Sequence, residues 1–283
     1  MGIRVERQQI FNYSDVYKNI SFSNGENSFS FLGQLNEWEN VEITSRIFYK
    51  KLEALLYGEE VRAKMYDSFI VNMLTYRNQK DDTILDLVKK HDYSIESLHS
   101  FFMEMFDFVY FSVKKQLPYT KHLSLISNAV SELLENTFKY SSRKYCITAV
   151  LDKNSDYPLN IYIENTYDND DIGKINENVK ALRLGIEEVN SYSTPEEAYF
   201  EIMKNRLENS VDENGEDVKT SRLGLAKISA DTKSRISLEE NSEHFGEKGI
   251  TIKVSIPLEL YSREYFNEII ETSLKQHSQL PQG

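Results

Sequence analysis

Residues Ser131 to Ser141 read SELLENTFKYS, and they place Glu132, Asn136 and Lys139 four and then three positions apart. At about 100° per residue, such positions lie within about 60° of one another on a helix, so the three side chains share a face. Leu123, Ile126, Val130, Leu133, Leu134 and Phe138 gather on the opposite face. That is the pattern of a helix packed on a sheet. Taken alone, the helix is accounted for by a solvated charged face above a core face, because short motif matches arise easily. Its surroundings decide what it is.

Composition narrows the function classes. The chain has 283 residues and a formal net charge of -12. That length suits one large domain or two modest ones. The acidic balance argues against a general nucleic-acid binder and against a binder of anionic membranes, since both use basic surface. The single cysteine, Cys146, lies in the strand-like segment KYCITAVLD. It leaves no disulfide framework and no thiolate metal site, and it reads as a buried structural thiol. No apolar run is long enough to span a bilayer, and the start of the chain lacks a signal-peptide pattern, so a cytoplasmic protein is expected.

Before the central stretch, NSFSFLGQL (27–35) alternates apolar residues with serines and reads as a strand ending in a turn. From Trp38 to Leu117 the apolar spacing becomes helical, with Gly58 separating the first two segments. The segment SIESLHSFFMEMFDFVYFSVKKQL (94–117) is aromatic almost all round. A helix of that kind is buried against two neighbours or against another chain. Residues 1–117 are therefore expected to form a mainly helical N-terminal region serving as a dimerisation, partner or sensor layer. Pro118 closes that region.

After Ser141 the period changes to that of strands. KYCITAVLD and LNIYIENTY, on either side of a turn at Asn154 to Pro158, read as an antiparallel hairpin. A helix is expected over Ile172 to Val189. A second should start at Ser193-Thr194-Pro195-Glu196-Glu197, where a hydroxyl residue precedes proline and acidic residues. The acidic loop SVDENGEDVKTS (210–221) leads into SRLGLAKISADT, helical from about Leu223. SRISLEEN and GITIKVSIPLEL then form a closing hairpin ended by Pro257. Residues 261–283 read as a C-terminal helix and tail.

With ELLENTFKYS, RLGLAKI and GEKGITIKVSIPLEL occurring in that order, the region from Tyr119 to Leu260 resembles the GHKL superfamily. This is the ATP-binding fold of histidine kinases, anti-sigma-factor kinases, gyrases, Hsp90 and MutL. The resemblance implies an α+β chain: a two-layer α/β sandwich over 118–260, with a mixed, mostly antiparallel sheet covered by helices. It also implies ATP and Mg²⁺ as cofactors. Asn136 matches the amide that holds Mg²⁺, an ion that takes hard oxygen ligands and few protein groups. Glu132 matches the acidic residue that orients or deprotonates the attacking group. Lys139 would meet phosphate oxygens as a point charge, and Tyr140 matches the aromatic residue after it.

Two glycine boxes depart from the family pattern. The aspartate that accepts a hydrogen bond from adenine falls on Asn165, and Thr166 to Asp171 contains no glycine. An asparagine oxygen still accepts that bond, without the charge assistance worth on the order of 1 kcal/mol. In the second box Thr220 and Arg222 stand where glycines are usual. Ser221, Gly224 and Leu225 remain to open a helix whose free N–H groups can hold phosphate, with Arg222 as an added cation. The contrary reading is that Arg222 fills the space.

More narrowly, the asparagine ending the second strand, the long helical insert and the closing LGLAKISADT are similar to SiaB-type kinases. These are relatives of anti-sigma-factor kinases that phosphorylate Ser or Thr on a small partner protein in partner-switching signalling. A bacterial Ser/Thr protein kinase is the expectation that follows, with a small acceptor or regulatory protein as its partner. The alternative is an inactive scaffold that binds a partner, or a second copy, through its N-terminal helices. A sensor histidine kinase fits less well, because His99 is too close to Glu132 to leave room for a second dimerisation helix and a first strand.

Overall fold

The computed structural model describes residues 21–25, 27–58, 61, 116–140, 144–166, 172–208, 222–241, 243, 245–246 and 249–278. The helices expected between Gly58 and Leu117, the aromatic segment among them, fall almost entirely outside these residues. So does the acidic loop before Ser221.

The described elements are β1 (Ser21–Gly25), β2 (Ser28–Gln34), α1 (Trp38–Tyr57), α2 (Thr120–Tyr140), β3 (Lys144–Leu151), β4 (Leu159–Thr166), α3 (Ile172–Ser191), α4 (Pro195–Glu208), α5 (Arg222–Thr232), β5 (Arg235–Glu239), β6 (Gly249–Ile256) and α6 (Arg263–Ser278). The chain is α+β, with a six-stranded sheet ordered β1-β2-β3-β4-β6-β5. Among the described residues every pairing is antiparallel, where a mixed, mostly antiparallel sheet was expected. Three of the five join strands through short hairpin connections, which antiparallel geometry alone permits.

The strand read over Asn27 to Leu35 forms as β2 and pairs with β3. It thus belongs to the same sheet as the segments after Ser141, although it precedes the helical residues in the chain. Hydrogen bonding between distant strands leaves no local mark in a sequence, so this membership had no signature.

The chain divides into two compact units. The first comprises Met1–Tyr49 and Leu125–Leu258 and holds the whole sheet. On one sheet face, register aligns Phe31, Ile147, Ile163, Ile252 and Leu238 in one row and Phe29, Ala149, Ile161, Val254 and Ile236 in the next. All but Leu238 are buried. Burying each large side chain contributes roughly 1.5–3 kcal/mol, so these rows are the core of the unit. The α1 residue Phe48 packs its ring on Phe29, and Thr44 hydrogen-bonds the Tyr145 hydroxyl at 3.0 Å. On the other face Ser30, Thr148, Tyr162, Lys253 and Ser237 are half-buried or exposed, as suits an antiparallel sheet with one wetted face.

Helices α3, α4 and α5 pack on one another, and α3 and α5 reach β5. Asn190 of α3 donates to the Ile236 carbonyl at 2.7 Å. Helix α4 begins as its sequence foretells: Thr194 accepts from the Glu197 N–H, and Glu197 reaches back to the Ser193 N–H. The first of these bonds serves a donor that the first turn of a helix leaves unpaired, and the second ties the residue before the cap to the helix.

The second unit comprises Lys50–Ser124 and Glu259–Gly283. Its described part centres on Tyr57, Tyr119, Tyr261 and Phe266, whose rings meet edge to face or tilted. The Tyr119 hydroxyl accepts from the Tyr261 N–H at 3.0 Å. Gly58 follows α1 at φ +80° and donates to the Ala54 carbonyl. That left-handed position just past a helix end favours glycine.

Candidate functional site

The apolar stripe of α2 is buried as its spacing requires. Ile126, Ala129, Val130, Leu133 and Leu134 are all hidden, and Thr137, in the same stripe, is 2% exposed. The other edge carries Glu132 and Asn136, both half-exposed, and Lys139, which is exposed. The helix therefore divides as expected into a core face and a polar face.

Thr137 joins that core face to the end of β4. Asn165 is 4% exposed and lies in the row containing Tyr145 and Ile250. Its Nδ2 donates to Thr137 Oγ1 at 3.1 Å. Thr137 Oγ1 in turn donates to the Leu133 carbonyl at 3.0 Å. Asn165 Oδ1 is fully buried and has no hydrogen-bond partner among the described residues. A buried acceptor left so costs about 1–3 kcal/mol, a cost that an ordered water or a ligand donor would remove.

Glu132 meets the start of α5. A Cβ placed on Gly224 would lie 2.8 Å from Glu132 Oε1. Only glycine lets the first turn of α5 and this carboxylate come so close. Leu225, the next residue, is 3% exposed and anchors the helix in the core. Gly224 thus stands at a point of close approach between α5 and α2.

Lys139 stands on that polar edge, and the end of its side chain is engaged by neighbours there. Its Nζ is 3.3 Å from Glu135 Oε2 and 5.4 Å from the centroid of the Trp38 ring. Trp38 also meets Phe138 edge to face. A long, flexible cation follows the nearest carboxylate and aromatic face, and helical spacing alone does not fix where its end goes. Tyr140 and Arg222 are described by their backbone only, and Ser221 lies outside the described residues.

No family model, curated protein or solved structure matches the chain. What the site could hold is accordingly read from its own residues.

Three observations bear on a nucleotide with Mg²⁺: the orphaned Asn165 Oδ1, the space kept at Gly224, and the half-exposed Asn136 amide one turn beyond Glu132. Among the described residues no group of three His, Cys, Asp or Glu could hold a metal. A purely protein-built metal centre is thus not seen there, whereas Mg²⁺ held mainly by phosphates and waters takes few protein oxygens, a part the Asn136 amide oxygen could fill. The residues fit the group. A separate open pocket lined by Leu32, Gln34, Lys144 and Phe245 is on the sheet face opposite Asn165. No described helix is long and apolar enough to cross a membrane.

Cys146 and Tyr145 neighbour this region without the chemistry of a site. Burial, with Glu164 adding to it, pushes the Cys146 thiol up to about 11. Burial pushes Tyr145 up to about 12 against the opposing Thr44 hydrogen bond. Both groups are neutral at physiological pH.

Thr137 and Trp38 are the participants that sequence reasoning missed. For Thr137 a signal existed: it is a hydroxyl residue in an otherwise apolar stripe. Trp38 carried none, since it reaches Lys139 from a helix about a hundred residues away in the chain.

Proposed function

We propose that the chain is a GHKL-type ATP-binding protein kinase that phosphorylates Ser or Thr on a small partner protein. The observation that carries this reading is Asn165: a buried side chain with one amide end anchored and an acceptor left over. It stands where the GHKL resemblance expects the adenine-binding residue. Asn136 would hold Mg²⁺, and the N–H groups at the start of α5 would hold phosphate. The bound nucleotide supplies the phosphoryl group, and Mg²⁺ offsets its charge.

Within the chain's own residues, Glu132 has the catalytic part. Its carboxylate, half-exposed and lying over the α5 start, accepts the proton of the acceptor hydroxyl. Lys139 has a lesser part in this reading, because it is already engaged by Glu135. That same ion pair favours the second reading, an inactive scaffold that acts through protein contacts.

Calorimetry with Mg·ADP distinguishes the two. The kinase reading expects micromolar binding to the wild type and a loss of at least about tenfold in Asn136→Ala, about 1.4 kcal/mol. Glu132→Gln should bind nucleotide as the wild type does while consumption of radiolabelled ATP stops. Absence of binding at millimolar nucleotide removes the kinase reading and leaves the scaffold.

A further inference from the structure

The bonds around Asn165 have a direction. A threonine hydroxyl has one hydrogen, and that of Thr137 is given to the Leu133 carbonyl at 3.0 Å. Toward Asn165 the oxygen then offers only lone pairs. The amide must turn its NH₂ to Thr137, as it does at 3.1 Å, and its Oδ1 to the other side. The unpartnered buried Oδ1 is therefore held as an acceptor by a buried residue of the α2 core face.

We propose that Thr137 is the positioning residue that makes this site select purines with an amino group at C6 over purines with an oxo group there. The proposal rests on the nucleotide reading above and sharpens its substrate class. A 6-amino group donates to Oδ1. A 6-oxo group sets lone pair against lone pair, and it could be served only if the amide turned round to present Nδ2.

An aspartate at this position would be an acceptor whichever way it turned. An asparagine is an acceptor or a donor according to what holds its far end. Here the holding group is a helix residue in the core, whose hydroxyl is committed one turn back along α2. Turning the amide round would oblige the Thr137 hydroxyl to leave Leu133 and donate to Asn165 instead. The selectivity of the site is thus set from behind, by the direction of one hydroxyl.

The test compares Mg·ADP with Mg·IDP by calorimetry, since the two bases differ in the C6 substituent and its ring tautomer. The wild type should prefer ADP by about tenfold or more. In Thr137→Val, which keeps the shape and removes the hydroxyl, the preference should fall to within about threefold, because nothing then fixes the amide. Thr137→Ser should keep the wild-type ratio. The double variant Asn165→Asp with Thr137→Val should recover the preference, since a carboxylate needs no orienting. Far-ultraviolet circular dichroism checks that each variant folds.

If the wild type binds ADP and IDP equally, the inference is overturned while the nucleotide reading survives. The same holds if Thr137→Val leaves the ratio unchanged. If neither nucleotide binds, both fall together. Should Thr137→Val not fold, Thr137→Ala, which also lacks the hydroxyl, is read in its place: a ratio within about threefold supports the inference and an unchanged ratio overturns it.

Discussion

Gly33→Ala tests how tightly the sheet end beside Asn165 is built. Gly33 and Tyr145 are register partners on β2 and β3. A Cβ on residue 33 would lie 2.7 Å from the Tyr145 hydroxyl oxygen, 2.9 Å from Cζ and 3.2 Å from Cε1. Carbon atoms in contact settle at about 3.5–4.0 Å, so the ring must retreat by roughly 0.5–1 Å. It has little freedom to do so, being 1% exposed and tied to Thr44 through its hydroxyl.

Overpacking of this kind costs about 1–3 kcal/mol, and losing the Thr44 hydrogen bond costs about 1 kcal/mol more. The lower backbone entropy of alanine in a strand returns about 0.5–1 kcal/mol. The net expectation is a loss of about 2 kcal/mol. Urea unfolding followed by fluorescence measures it directly, because Trp38 is the one tryptophan in the chain and lies in the same unit, against Phe138. The midpoint should fall with the slope unchanged. In Gly33→Ala combined with Tyr145→Leu the two changes should be less damaging together than their sum, by about 1 kcal/mol. A loss below about 0.5 kcal/mol for the single variant, or strict additivity in the pair, would mean that the Tyr145 ring yields to the added carbon and the packing is not tight.

Gly224→Ala should behave differently, because its Cβ meets only the end of the half-exposed Glu132 side chain. Better helix propensity offsets the contact, so stability should change by less than about 1 kcal/mol, while ATP consumption should drop at least about tenfold as the carboxylate is pushed aside. Equal activity in that variant would remove Glu132 from the catalytic part. Tyr145, raised from 10.0 to about 12 mainly by burial, stays neutral in the fold where the unfolded chain ionises. Its contribution to stability is thus whole below pH 10 and is lost as pH rises through about 12, by about 2–3 kcal/mol in all. Tyr145→Phe should flatten that alkaline decline in urea midpoints, and an unchanged decline would contradict it. Thr194→Ala removes the bond to the Glu197 N–H and should destabilise by about 1 kcal/mol, read as faster amide exchange in the first turn of α4.

Much of the secondary structure was legible because its causes are local. Period-two alternation marks β3, β4 and β6, and Pro257 ends the last strand one residue after Ile256. Thr194 and Pro195 start α4 where a free hydroxyl and a missing N–H suit a helix N-terminus. The two faces of α2 follow from its 3.6-residue period. Side-chain identity also placed Asn165 at a strand end and Gly224 near a helix start, since both depend on neighbours within a few residues.

Among the described residues, local patterning thus marked β2 to β6 and the helices, with the core face of α2, while β1 had no reading of its own. Partners across the chain were settled only by packing. The β1–β2 hairpin enters the sheet through pairing with β3, more than a hundred residues further along the chain. Lys139 turns to Glu135 and to the distant Trp38. Asn165 acquires a fixed orientation only because Thr137 is brought against it, 28 residues away. One cause underlies all three. Periodicity reports which way a side chain points from its own backbone, whereas the partner of a hydrogen bond or a ring is chosen by packing between segments that share no local signal.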